Sequence, residues 1–260
     1  MTSNSDIEQT TQWTMIDSVL LSAARILTYE QQRALTNASG FYFESDQRLF
    51  LVTSRHVVVD EPSGHFPDRL EIEMHIDQDN LALSTMYSIP LYQDGKSVWI
   101  QGQDSSGAID VAAIELDRSK LPANTIYRAF TPEHLPSQEN IIEVGAPLIV
   151  VGFPLGFHDG LHHLPVVRHA IVASSYGLRF QGQGFFLTDA RTHRGTSGAP
   201  VVMRMNPGPD ASAEDLPWFL LGVHSARMDQ GTRDLVLDEA LGLNCAWYSD
   251  ILLTLTEGRN

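Results

Sequence analysis

Short runs of apolar residues, some alternating with polar positions and some unbroken, recur along most of the chain. A first group comprises Gly40-FYF, Phe50-LVTS, Leu70-EIEMHI, Tyr87-SIPLY, Ser97-VWI and Val111-AAIEL. A second comprises Pro147-LIVVGF, Val166-VRHAIVAS, Gly184-FFLTD, Pro200-VVMRM and Trp218-FLLGVHS. Short runs with turn residues between them predict strands, and the regular strand–helix alternation of a parallel sheet is missing. The groups are separated by an irregular, proline-containing connector, DRSKLPANTIYRAFTPEHLPSQEN, from Asp117 to Asn140. Met15 to Tyr29 can begin as a short helix and finish as a strand, and its apolar pattern alone does not settle which. Helical periodicity returns only in Cys245-AWYSDILLTL, which predicts a terminal helix over about 238–257. Its docking face would carry Trp247, Tyr248, Ile251 and Leu252. Residues 1–14 read as a loose polar tail, and NPGPDASAEDL, between Met205 and Pro217, as an acidic surface loop. The fold class expected is all-β, an antiparallel double barrel with a C-terminal α-helix.

Composition narrows the picture. The chain has 260 residues, 43% hydrophobic and 19% charged, which suits one large domain or two intimately packed halves. A formal charge of −15 repels phosphate backbones and anionic lipid, so neither nucleic acid nor membrane is expected as a partner. The lone cysteine, Cys245, excludes an intrachain disulfide and reads as a small buried hydrophobe. The N-terminus lacks a basic region leading into an apolar core, and no apolar run approaches a membrane span. The expectation is a soluble, cytoplasmic protein.

Candidate chemistry centres on TDARTHRGTSGAPVV, residues 188–202, where Ser197 stands between glycines. Glycine, serine and proline are ordinary turn residues, so Ser197 is either a turn-former or a nucleophile. A serine hydroxyl attacks only when a base takes its proton and a third group orients that base. His56 lies between Phe50-LVTS and Val57-Val58-Val59, at the edge of a core; alone, it reads more readily as a structural histidine than as a base. Asp110, within Ala108-Ile109-Asp110-Val111-Ala112, is drawn by its neighbours into a buried setting where its carboxylate needs a donor; alone, it reads equally as a turn-former at a strand start. The order His56, Asp110, Ser197 and the local G-x-S-G differ from the serine-first order and G-x-S-x-G elbow of the α/β-hydrolases.

TSRHVV, IDVAAIEL, TDARTHRGTSGAP and LLGVHS resemble the His, Asp, Ser and substrate-strand motifs of the chymotrypsin-like serine proteases. They are nearest in flavour to bacterial high-temperature-requirement proteases and glutamyl endopeptidases. VVGFPLGFHDG, with Gly152, Pro154 and Gly156, resembles the turn opening the second barrel of the former. The resemblance runs from about residue 25 to about 235. It implies a trypsin-like peptidase domain of two six-stranded barrels over 15–260, the first about 25–117, a linker about 118–140 and the second about 141–237. It further implies His56 as general base, Asp110 as its orienter, Ser197 as nucleophile, and the N–H groups of Gly195 and Ser197 as oxyanion donors. Thr196 replaces the aspartate that accepts a new N-terminus in the trypsin subfamily, so no clipping of the tail is expected. Ala199 replaces a glycine.

The same resemblance implies a specificity pocket lined by Thr192, His224, Ser225 and Ala226. Thr192 and His224 match residues that read glutamate or glutamine in related proteases, so cleavage after Glu, then Gln, is expected. Such an enzyme needs no cofactor, acts on protein or peptide substrates, and leaves room for a regulatory partner protein. An idle protease-shaped binding module and an esterase with the same triad are the alternatives. His158, His162, His163 and His169 in HDGLHHLPVVRH read as a surface loop rather than a metal site, because Pro165 and nearby glycines oppose a helix presenting one face.

Overall fold

The computed structural model describes residues 16–105, 107–205, 216–227 and 242–258. The loose tail and most of the acidic loop therefore lie outside the described residues. A 3-10 turn, Ser18–Leu21, capped by the Asp17 carboxylate, leads into strand β1 (Ala23–Glu30), which decides a segment whose apolar pattern left helix and strand open. There follow β2 (Arg33–Ser45), β3 (Arg48–Thr53), helix α1 (Arg55–Val58), β4 (Arg69–His75) and β5 (Ser84–Pro90). A small hairpin of β6 (Tyr92–Gln93) and β7 (Lys96–Ser97) precedes β8 (Trp99–Asp104) and β9 (Gly107–Leu116). All main-sheet pairings are antiparallel, in the order β5-β4-β1-β2-β3-β9-β8. The double-β architecture holds, although seven strands rather than six join the N-terminal sheet.

The second unit contains β10 (Pro147–Gly152), β11 (Val166–Val172), β12 (Phe185–Ala190), β13 (Pro200–Arg204), β14 (Trp218–Arg227) and β15 (Leu243–Tyr248). These close as a six-stranded barrel in the order β10-β11-β12-β15-β14-β13. The terminal-helix expectation needs correction. Leu243–Tyr248, including Cys245, Trp247 and Tyr248, is a strand between β12 and β14, and the helix, α2, spans only Ile251–Thr256. Barrel closure supplies this segment with partners on both sides, and that overrides its local helical pattern. Leu252 and Leu255 of α2 are buried in the core.

Three apolar clusters explain why so many strands read as continuous hydrophobic runs. Leu49 and Leu51 pack inside the first unit with Ile26, Leu70 and Ile72, while the intervening Phe50 and Val52 face the seam between the units. There they meet Val151, Val202, Leu220, Val223 and Trp247 from the second barrel. A strand buried on both faces loses its polar alternation. The connector is held as well: Phe130, fully buried, joins the seam cluster, and its backbone bonds with Tyr42 and Glu44 of β2.

Candidate active site

His56, Asp110 and Ser197 converge on this seam. His56 lies on α1, a single turn that immediately follows β3; Asp110 lies on β9, which pairs with β3. Strand pairing therefore brings together two residues distant in sequence. The Asp110 carboxylate accepts the His56 backbone N–H at 2.9 Å through Oδ1, and Oδ2 lies 2.7 Å from His56 Nδ1. Ser225 Oγ also donates to Oδ2. With its Nδ1 proton held by a carboxylate, the imidazole presents Nε2 as a lone pair.

Burial by itself lowers the His56 pKa, but the hydrogen bond and charge of Asp110, together with the charge of Asp60, overcome it. The net result is a pKa raised above 6.5. Cys245, a small buried thiol as its context suggested, is pushed up to about 11 by burial and then by the charge of Asp110.

Ser197 reaches the same cleft from the second barrel, on the loop before β13. The cleft, about 540 Å³, is lined by Asn37, His56, Asp60, Arg194, Gly195 and Ser197 among others. Ser197 Oγ donates to the Ser225 carbonyl at 3.1 Å, and among the described residues it makes no bond to His56 Nε2.

Two N–H groups beside Ser197 are aimed by their own peptide planes. Leu155 N–H donates to the Arg194 carbonyl at 2.5 Å, and Ala199 N–H to the Thr196 carbonyl at 2.9 Å. In a trans peptide the carbonyl and the following N–H point in opposite directions. Pinning those carbonyls thus turns the N–H groups of Gly195 and Ser197 away from the protein, and among the described residues neither has an acceptor. Gly195 has φ +89°, and a Cβ there would lie 2.7 Å from the Phe153 carbonyl oxygen. The position tolerates only glycine.

Sequence reasoning missed the residues that hold this loop in place. Ser39, on β2 and fully buried, donates to the Gly195 carbonyl at 2.8 Å and accepts Phe153 N–H at 2.9 Å, while its own N–H bonds the Ser197 carbonyl at 2.9 Å. Thr53 Oγ1 donates to the Ser39 carbonyl at 2.8 Å, and Ser54 Oγ to the His224 carbonyl at 3.1 Å. The signal available was a set of small hydroxyl residues inside apolar runs, A-S-G and V-T-S, where burial demands partners.

The residues expected to line the specificity pocket are brought together only in part. Thr192 is buried and donates from Oγ1 to Asn244 Oδ1 at 2.6 Å. Asn244 Nδ2 donates to the carbonyls of Ala190 and Gly242 at 2.7 and 2.9 Å. Two carbonyl partners identify that end of the amide as NH₂, so Oδ1 must accept from Thr192. His224, buried on β14, anchors the Ser197 loop through its main chain: its carbonyl accepts Gly198 N–H at 2.7 Å and its N–H donates to the Ala199 carbonyl. Ser225 faces Asp110, as above, and Ala226 follows on β14. Residues 228–241, which follow this strand, lie outside the described set.

The fold and seam define a class. The trypsin-like peptidase domain family matches residues 38–206, a stretch that includes His56, Asp110 and Ser197, and the chain belongs to this family of chymotrypsin-like serine proteases. Among solved structures, a serine endoprotease from Yersinia pestis superposes with a TM-score of 0.53 at 14% identity, covering 92% of this chain and 63% of that one. A protease from M. tuberculosis in its active form gives 0.51 at 15% identity, covering 93% of this chain and 82% of that one. At such identities these two similarities speak for the fold alone. Comparison with curated proteins finds no match. Among the described residues, no helix is long and apolar enough to cross a membrane.

Proposed function

We propose that this chain is a serine endopeptidase in which Ser197 attacks the peptide carbonyl, His56 carries the proton and Asp110 orients His56. The observation that carries the reading is the Asp110–His56 pair, 2.7 Å apart, whose histidine lines the same cleft as Ser197 and Gly195, the two residues whose N–H groups have no acceptor among the described residues. In the reaction, Ser197 Oγ leaves the Ser225 carbonyl and gives its proton to His56 Nε2 as it bonds to the substrate carbonyl carbon. The oxyanion forms against Gly195 and Ser197 N–H. His56, now protonated and paired with Asp110, delivers that proton to the departing amine. Water then repeats the sequence on the acyl-enzyme and frees Ser197.

The preference proposed is for Glu or Gln before the scissile bond, with Thr192 and His224 reading the side chain. Thr192 gives its proton to Asn244, so presenting that proton to a Glu carboxylate or a Gln carbonyl oxygen requires the hydroxyl to turn. A peptide library reads this directly, and strong preference for Arg or for large apolar residues refutes it.

The catalytic reading is tested with a fluorophosphonate probe alongside peptide and simple ester substrates. Labelling and peptide hydrolysis are expected, both lost in Ser197→Ala. A folded protein that never labels is a binding module; one that turns over only esters is an esterase.

A further inference from the structure

Away from the cleft, the loop between β10 and β11 brings His158 and His163 against Glu73 of β4, so residues of both units meet. One ligand atom from each of the three lies within 4.8 Å of the others. We propose that Glu73, His158 and His163 form a site for a divalent transition metal of the zinc class, spanning the two barrels.

The donors are oriented for this role. His158 Nδ1 lies 2.7 Å from the Gly156 carbonyl, which only an N–H can satisfy, so Nε2 carries the lone pair. A ligating histidine characteristically has its other ring nitrogen fixed in this way. The Glu73 carboxylate is divided between two duties. Oε2 accepts Arg25 Nη2 at 2.6 Å, while Oε1, held by Ser84 Oγ at 2.8 Å, turns to His163. His163 Nδ1 is 2.9 Å from Oε1, yet the atom is buried and has no hydrogen-bond partner among the described residues. Two atoms that are close but not aimed at one another stand as ligands do along one edge of a coordination shell. For metal–ligand distances of about 2.0–2.1 Å at a tetrahedral ion that edge is about 3.3 Å, so the pair opens by a few tenths of an ångström on binding.

The loop is also fixed in advance. His163 N–H bonds the Asp159 carbonyl at 2.7 Å, Asp159 N–H bonds Leu164, and the Asp159 carboxylate accepts the N–H groups of Leu161 and His162. His163 itself sits at φ +57°, a costly conformation for a residue with a side chain. Arg25 opposes a cation, and its Nη1 lies 3.4 Å from His158 Nε2. That long contact is the one a metal displaces, since the guanidinium keeps its shorter bond to Oε2. Two imidazoles and one carboxylate select zinc-like ions over magnesium or calcium, which prefer all-oxygen shells. His162 and His169, in the same sequence motif, are outside the trio.

The test uses the full chain, stripped with a chelator and titrated with Zn²⁺ by calorimetry, with thermal unfolding as a second readout. One tight Zn²⁺ per chain is expected, with a melting temperature that rises with Zn²⁺ and is unmoved by Mg²⁺ or Ca²⁺. His158→Ala, His163→Ala and Glu73→Gln should each weaken binding at least tenfold, while His162→Ala and His56→Ala leave it unchanged. His158→Gln repeats the measurement if a truncation fails to fold. The proposal is overturned if removing His158 or His163 leaves the affinity intact. It is equally overturned if the tight site disappears in His56→Ala, which assigns the ion to the cleft, or if Ca²⁺ binds as well as Zn²⁺.

Discussion

Ser39→Ala tests whether the first unit sets the geometry of the nucleophile loop in the second. The substitution removes one oxygen from a fully buried side chain on β2. It strands two groups across the seam: the Gly195 carbonyl, which Ser39 Oγ reached at 2.8 Å, and Phe153 N–H, which reached Ser39 Oγ at 2.9 Å. Each buried polar group left unpaired costs about 1–3 kcal/mol, so for two groups the loss of stability should be about 2–6 kcal/mol. Water has little room to compensate, since even a Cβ on Gly152 would come within 2.7 Å of Ser39 Oγ. Catalysis should suffer separately, because the Gly195 carbonyl then no longer locks the peptide that follows the oxyanion donor. Removing an oxyanion donor outright costs about 10²–10³ in kcat, and a loosened one should cost about tenfold. Urea unfolding measures the first effect as a lower midpoint at constant slope, and peptide hydrolysis measures the second. A variant within about 0.5 kcal/mol of the parent, with unchanged kcat/KM, refutes the claim that Ser39 pins the loop.

Glycine position should matter more than glycine count. At Gly198, φ +84°, a Cβ would overlap the Ser39 carbonyl oxygen and Thr53 Oγ1, so Gly198→Ala should cost more than about 4 kcal/mol by thermal unfolding; Gly64→Ala, φ +68° in open space, should cost about 1 kcal/mol in the same assay. Because the base must be neutral, kcat/KM should rise with pH through a limb centred above 6.5, and Asp60→Asn, which removes a charge that favours the imidazolium, should move that limb to lower pH. The same raised pKa makes the His56 contribution to stability complete below pH 6.5 and lost as pH rises through the folded-state value. Thr192→Val, which leaves Asn244 Oδ1 without its donor, should cost about 1–3 kcal/mol by urea unfolding and reduce Gln or Glu selectivity about tenfold in competition assays.

Local pattern alone determined much of this protein. Alternation in Leu70-Glu71-Ile72-Glu73-Met74 reads directly as a strand buried on one side, because a side-chain period of two is a property of the extended backbone. The motifs around His56, Asp110 and Ser197 were legible for a related reason, since an ionisable residue set among apolar neighbours must find a partner. Tertiary structure decided what depends on who the partner is. Leu243–Tyr248 has a helical pattern and becomes a strand because β12 and β14 leave a gap that only a strand can close. Ser39, Thr53 and Asn244 look like minor polar residues until the seam brings them to the nucleophile loop and Thr192. Glu73 lies far upstream of HDGLHHLPVVRH, so no spacing rule could join it to His158 and His163. Periodicity is written within a few residues of chain, whereas hydrogen bonds and ligand sets are made between strands that meet only once both units have packed.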